Sequence, residues 1–377
     1  MKYYLIAGER SGDLHAANLI KALKQEDPQA SIRAWGGDYM QVAGAELVHH
    51  YRDLAFMGFW EVIKNIRTLR RLIIECQQDL LDYRPDVVIL VDYAGFNLRI
   101  AKFAKYHRIK VFYYISPKVW AWNQSRAYKI KALVDRMFVI FPFEKDFYQQ
   151  YDYEVDYVGN PLLDAIAAFK PEPDFKQKRG LDNRPIIALL PGSRRQEVEK
   201  MLKVMLSVKS VFPDYQFVIA GVTNLPATFY EQVTKRYQIT VVYDAAYGLL
   251  SQAAAALVTS GTATLETAMF EIPQVVCYRL SGISFTIAKK LIKVKYISLV
   301  NLVADREVVV ELIQQELNPQ RLQAELRRIL PGSSFREQQI ADYQKIKQKL
   351  GAPGASAKAA QLMVDYLTNG HPISRRS

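Results

Sequence analysis

Short apolar runs recur along the chain, each followed by a small-residue or polar turn and then a stretch with helical periodicity. In the first half Tyr3–Ala7, Ile32–Trp35, Val87–Val91, Val111–Ile115 and Arg136–Ile140 read as strands. In the second half Ile186–Leu190, Gln216–Ala220, Thr240–Val242 and Gln274–Tyr278 read the same way, and the small-apolar run Ala253–Val258 reads as a helix end passing into a short buried strand. Val87–Val91 is apolar throughout, as in a parallel sheet covered on both faces. Strands alternating with helical patterns predict two series of strand–helix units, hence an α/β protein with parallel sheets. Lys170–Pro185 carries three prolines and mixed charge and reads as the linker. The expected division is a first domain over 1–168, a linker over 169–185, a second domain over 186–345, and a C-terminal helix with a mobile tail over 346–377. Beyond Ser298–Leu302 the pattern turns helical at Val308–Gln315, Pro319–Ile329, Phe335–Leu350 and Ser356–Thr368.

The 377 residues suit two cores, and a hydrophobic share of 50% with 23% charged residues excludes a disordered chain. A net charge of +12 favours an anionic partner. No clustered basic and aromatic motif points to nucleic acid, which leaves nucleotides, phosphorylated substrates and acidic lipid surfaces. Cys76 and Cys277 have no metal-ligand spacing and no disulfide framework, as befits a reducing cytosol. Residues 1–8 run into Glu9-Arg10 too early for a signal-peptide core, and no apolar run approaches a membrane span. The expected protein is soluble or peripheral.

Candidate chemistry gathers at the turns. Leu257–Glu266 reads as a buried strand end, the small-residue turn Thr259-Ser260-Gly261-Thr262, and a helix start. Free N–H groups and the positive end of the helix dipole converge there, which suits phosphate. Glu266, one turn into the helix, is placed to accept from a ribose hydroxyl, although a plain capped helix has the same pattern. Pro191-Gly192-Ser193-Arg194-Arg195 is a second such turn, with Arg194 placed to grip a pyrophosphate or to stay solvated. In the first half, Gly8–Asp13 forms a strand–turn–helix unit without full Gly-x-Gly-x-x-Gly spacing, and Ser11 and Asp13 fit helix caps. Asp92 follows a buried strand directly, where α/β enzymes place their sites and where a capping Asp also sits. Phe56–Ile73 predicts an amphipathic helix with Val62, Ile66, Leu69 and Ile73 on one face. Its entry residues Phe56, Met57, Phe59 and Trp60 and its basic Lys64, Arg67, Arg70 and Arg71 also suit a membrane interface.

Several strings stand together in one order: Gly-Glu-Arg-Ser-Gly-Asp-Leu-His (8–15), Val-Asp-Tyr-Ala-Gly-Phe-Asn (91–97), Tyr-Ile-Ser-Pro-Lys-Val-Trp-Ala-Trp (114–122), Phe-Pro-Phe-Glu (141–144), Gly-Asn-Pro-Leu (159–162), Leu-Pro-Gly-Ser-Arg (190–194), Ser-Gly-Thr-Ala-Thr-Leu-Glu (260–266) and Ser-Leu-Val-Asn-Leu (298–302). Together they resemble the bacterial lipid-A-disaccharide synthase family from residue 1 to about residue 350. The resemblance implies a GT-B fold: two Rossmann-like domains facing a cleft, with C-terminal helices packing back across the domain boundary. It implies inverting transfer of 2,3-diacylglucosamine from UDP-2,3-diacylglucosamine to 2,3-diacylglucosamine 1-phosphate, giving a β(1→6) disaccharide and UDP. Arg10 stands where Ala or Pro is frequent, and Asn160 where His is frequent; Asn160 cannot act as an acid or base. With the resemblance in hand, Asp92 is the candidate base. Ser11, Gly12, Asp13 and His15 are candidates for holding acceptor or sugar. Arg194, Ser260, Gly261, Thr262 and Glu266 are candidates for UDP, and Asn301 for the pyrophosphate or uracil. No Asp-x-Asp occurs in the chain, so no metal site and no cofactor are expected. Expected partners are the two acylated substrates, the inner face of the cytoplasmic membrane and, through the C-terminal helices, a second copy of the chain. A peptidoglycan-precursor glycosyltransferase or a UDP-sugar epimerase of the same architecture is the alternative.

Overall fold

The computed structural model describes residues 1–54, 66–279 and 294–369. The chain forms two compact units, one from Met1–Asp164 with the segment starting at Ala352, the other from Ala165–Gly351.

The first unit is built on seven strands: β1 (Lys2–Ala7), β2 (Ser31–Gly36), β3 (Glu46–His50), β4 (Val87–Val91), β5 (Lys110–Tyr114), β6 (Arg136–Val139) and β7 (Asp156–Tyr157). All pairs are parallel, in the order β3-β2-β1-β4-β5-β6-β7. Strands β1 and β4 are buried along nearly their whole length, which is why they read as unbroken apolar runs. The chain leaves the centre of this sheet in opposite directions after β1 and after β4, and that switch point is where open α/β sheets hold ligands.

The helix Ala355–Thr368 completes the first unit although it comes last in sequence. Its Ala359, Ala360 and Met363 join the core formed by β1 and the helix Arg10–Glu26. Asp164 secures its start by accepting from the backbone N–H groups of Gly354, Ala355 (3.2 Å) and Ser356 (3.0 Å).

The second unit has six parallel strands, β8 (Ile186–Leu190), β9 (Gln216–Gly221), β10 (Thr240–Tyr243), β11 (Ala253–Thr259), β12 (Gln274–Tyr278) and β13 (Glu311–Ile313). Their order is β10-β9-β8-β11-β12-β13, with the switch point between β8 and β11. Three expectations change here. Residues 253–259 are strand throughout, because Ala253–Val258 pairs with β8. Glu311–Ile313 is strand rather than helix, since β12 offers it a free edge in register from Val276↔Glu311 to Tyr278↔Ile313. The expected linker over 169–185 contributes Phe175, buried against Leu249 and Ile186 in the second core, so the segment packs on that unit.

Candidate active site

Each unit brings its candidate residues to the C-terminal edge of its own sheet, at the switch point. In the first unit, β1 leads into Gly8 and the helix Arg10–Glu26, and β4 leads into Asp92 and the helix Ala94–Tyr106. The two turns meet at Gly8, where any Cβ would lie 2.3 Å from the ring of Tyr93. Gly12 is buried over Ala7 and Val91, which a Cβ there would meet at ordinary contact distance, 3.5 and 3.8 Å.

Asp92 and Tyr93 both adopt left-handed backbone conformations, φ 45° and 44°. Such consecutive non-glycine residues cost about 1–2 kcal/mol each and persist only where neighbours hold them. Asn97 supplies that hold, its Nδ2 donating to the Val91 carbonyl (3.1 Å) and the Asp92 carbonyl (2.8 Å), and the Tyr113 hydroxyl donates to the Asp92 carbonyl as well. The main chain is thus pinned through its carbonyl, which leaves the Asp92 carboxylate clear of these bonds. Burial pushes that carboxyl above its ordinary pKa, opposed by the charge of Lys118 and the backbone N–H of Tyr93. A raised pKa and a position at the switch point suit a proton acceptor.

The other first-unit candidates divide. Ser11 is exposed on the first helical turn. Asp13 is 1% exposed, and its carboxylate is committed to the start of the helix Asp38–Val42. Oδ1 accepts from the N–H groups of Gly37 (2.8 Å) and Met40 (3.1 Å), and Oδ2 from Tyr39 (3.2 Å). It therefore caps a neighbouring helix through three backbone N–H groups. His15 has a buried Nδ1 without a partner, and burial lowers its pKa to about 4 against the pull of Asp164, so it is neutral at physiological pH. Asn160 caps the helix Pro161–Ala168, its Oδ1 accepting from the N–H of Leu162 (3.0 Å).

A carboxyl the motif reading left unassigned, Glu144, lies beneath this edge at 1% exposure. Its Oε2 accepts from the N–H groups of Ile140 (3.1 Å) and Phe141 (2.9 Å). Burial raises its pKa to about 7, opposed first by these backbone bonds and then by Trp120 and Ser116 of the aromatic loop after β5. The only sequence trace of this role was the proline-initiated helix of the Phe-Pro-Phe-Glu string.

In the second unit, β8 leads into Gly192–Arg194 and the helix Arg195–Met205, while β11 leads into Ser260–Gly261 and the helix Thr262–Met269. Leu190 pairs with Val258, so the two turns are neighbours. Gly192 has φ 102°, and a Cβ on it would lie 2.2 Å from Oε2 of Glu197. Glu197 folds back over the turn, where the N–H groups of Ser193 and Arg194 and the charge of Arg194 counter the rise that burial imposes on its pKa. The turn amides expected for a pyrophosphate therefore already face a carboxylate, which leaves the exposed Arg194 side chain as the group able to reach an anion there. Among the described residues no carboxylate occupies the β11 turn: Gly261 (φ 157°) precedes the helix, Thr262 is exposed, and the Ser260 hydroxyl donates to the Ile297 carbonyl (2.8 Å).

Glu266 is half-buried, and burial alone raises its pKa to about 7, with Tyr247 as a neighbour. It is a desolvated acceptor suited to neutral hydroxyl donors. Asn301 departs from expectation. It is fully buried, its Nδ2 donates to the Val309 carbonyl and Glu311 Oε1 (both 2.9 Å), and its Oδ1 accepts from Val308 (2.7 Å) and Val309 (3.0 Å). That uses its full hydrogen-bonding capacity. With Glu311, which accepts from the N–H groups of Ile297 and Ser298, it shapes the segment that receives Ser260.

These elements are those of a family. The family model for lipid-A-disaccharide synthetase matches residues 3–364. Lipid-A-disaccharide synthases of Syntrophus aciditrophicus and Trichlorobacter lovleyi are 39% and 38% identical to it, each alignment covering 96% of this chain and 97% of the relative. The chain belongs to the lipid-A-disaccharide synthase family. It is accordingly a glycosyltransferase of lipid A biosynthesis. The fold likeness extends further: a UDP-GlcNAc 2-epimerase from Neisseria meningitidis, solved with UDP-GlcNAc, has a TM-score of 0.70 at 13% identity, covering 97% of this chain and 100% of that one. The glycotransferase of kitacinnamycin has a TM-score of 0.62 at 13% identity, covering 96% and 98%. At such identity these two show the shared GT-B architecture alone, and the family match separates this synthase from the epimerases.

Of the expected membrane-facing residues, Phe56, Met57, Phe59, Trp60 and Lys64 lie outside the described residues. Arg67, Arg70 and Arg71 are exposed on the helix Ile66–Tyr83. That helix buries Leu72, Cys76 and Leu80, so its inward face runs further along the chain than the expected Val62–Ile73 stripe. Among the described residues no helix is long and apolar enough to cross a membrane.

Proposed function

We propose that this synthase transfers 2,3-diacylglucosamine from UDP-2,3-diacylglucosamine to 2,3-diacylglucosamine 1-phosphate in a single displacement with inversion. The observation that carries this reading is the family match along residues 3–364, which takes in both units. In this mechanism the acceptor's 6-hydroxyl attacks the anomeric carbon as the bond to UDP breaks. Asp92 takes the hydroxyl proton, its burial keeping it a stronger base than a solvated carboxylate. Ser11, Gly12 and the neutral His15 flank the transferred sugar or the acceptor.

UDP sits on the second unit. Arg194 and the turn Ser260–Thr262 face its diphosphate and take up the charge that grows as the bond breaks. Glu266 accepts from the ribose hydroxyls. Both substrates carry acyl chains, so the enzyme meets them at the cytoplasmic face of the membrane, with residues 56–71 at the interface. A homodimer through the C-terminal helices is compatible with this arrangement. Purified protein incubated with the two acylated substrates is expected to yield a disaccharide 1-phosphate and UDP, read by mass. Epimerised or hydrolysed UDP-sugar in place of disaccharide overturns the reading.

A further inference from the structure

Residues 93–134 contain nine Lys and Arg and no Asp or Glu. The first acid beyond them, Asp135, is taken up by Lys105. In the structure this segment forms the helices Ala94–Tyr106 and Arg126–Leu133, which pack side by side, with Ile66–Tyr83 on the far flank of the first. The helix Ala94–Tyr106 buries Phe96, Ile100, Ala101 and Ala104 towards the sheet. At 100° per residue Arg99, Lys102 and Tyr106 then share the opposite, outward stripe. The helix Arg126–Leu133 buries Ala127 and Ile130 and turns Tyr128 and Lys129 outward. Tyr106 is 83% exposed and Tyr128 63%, and Ile74 on the flanking helix is 56% exposed. Among the described residues Arg99, Lys102 and Lys129 form no ion pair.

We infer that the outward faces of the helices Ala94–Tyr106 and Arg126–Leu133 form a docking surface for an anionic lipid headgroup layer, in addition to the role proposed for residues 56–71. The inference rests on the proposed reaction, whose acylated substrates bring the enzyme to a bilayer. Cations that form no ion pair among the described residues match a surface of anionic headgroups, and exposed tyrosines place an apolar ring and a polar tip at the same depth. A layer of adjacent helices presents these groups over a broad face, as a bilayer requires and a narrow peptide groove does not. The face belongs to the unit that carries Asp92, so docking brings the proposed base close to the membrane.

The test is cosedimentation of the full chain with phosphatidylglycerol-containing vesicles and with pure phosphatidylcholine vesicles. The variant is Arg99→Gln, Lys102→Gln and Lys129→Gln with Tyr106→Ser, all clear of the proposed active site. Each cation at such a surface strengthens binding about fivefold, so the variant is expected to lose roughly 100-fold in partition onto anionic vesicles. Its melting temperature and turnover on detergent-dispersed acceptor should stay at wild-type values. High salt should weaken the wild type more than the variant. Wild-type partition by the folded variant overturns the docking surface. So does an equal loss on phosphatidylcholine, or preferential capture by soluble polyglutamate, which marks an acidic protein as the partner. Strong vesicle binding without disaccharide formation overturns the proposed reaction and leaves the surface intact.

Discussion

Asp92 and Glu144 are both carboxyls raised by burial, yet their surroundings give them different work. Asp92 stands at the strand edge with its main chain pinned by Asn97, so Asp92→Asn keeps the shape and removes the base. Turnover is expected to fall by roughly two to four orders of magnitude with donor affinity nearly unchanged, measured by steady-state kinetics and by titration with UDP. Glu144 is enclosed, with a pKa near 7 against 4.5 in water. Between those values the folded chain holds a proton that the unfolded chain has released. Stability therefore falls as pH rises through this window, by an amount on the order of 3 kcal/mol if Glu144 acts alone. Urea unfolding at pH 5 and pH 8 should show this loss in the wild type and a smaller one in Glu144→Gln. Glu266 has a similar elevation to about 7 but a binding role in the proposed mechanism. Ionisation strengthens its acceptance from ribose hydroxyls, so affinity for a UDP-sugar should rise several-fold from pH 6 to pH 8. Glu266→Gln should flatten that rise, read by calorimetric titration.

At the level of elements, helix starts decide how much of the candidate chemistry is free. Asp13 caps the helix Asp38–Val42, Asn160 caps Pro161–Ala168, and Asp164 caps Ala355–Thr368. A sequence reading ranks such residues as ligands or caps with nearly equal ease, because both uses call for the same side chain. Only the partner identifies the use, and for Asp13 and Asn301 the partners come from other segments of the chain. The Asp164 cap is the one most open to test, because it ties the last helix to the first unit. Asp164→Ala is expected to cost about 1–2 kcal/mol and to speed amide exchange along 355–368 before exchange rises elsewhere.

At the scale of the whole molecule, the first unit is made from both ends of the chain. Removing residues 352–377 strips Ala359, Ala360 and Met363 from its core, and burial of the methionine side chain alone is worth about 2 kcal/mol. Scanning calorimetry of the truncated chain should show a lowered transition for the first unit, while UDP binding by the second unit persists. By itself the sequence determined the alternation of strands and helices, the parallel character of both sheets and the turns at 8–13, 92–97, 191–195 and 260–266. Apolar runs long enough for a doubly covered strand, each ending in small or polar residues, are local patterns, and local patterns are legible along a chain. The tertiary structure decided what was not local. It drew 253–259 and 311–313 into the second sheet through pairing with neighbours, placed 169–185 on that unit through Phe175, and gave the carboxylates of Asp13 and Glu197 to backbone amides. It also left the Asp92 and Glu266 carboxyls desolvated at their strand–helix turns. Pairing, burial and hydrogen-bond satisfaction depend on groups far apart in sequence, so they follow only once the chain has folded.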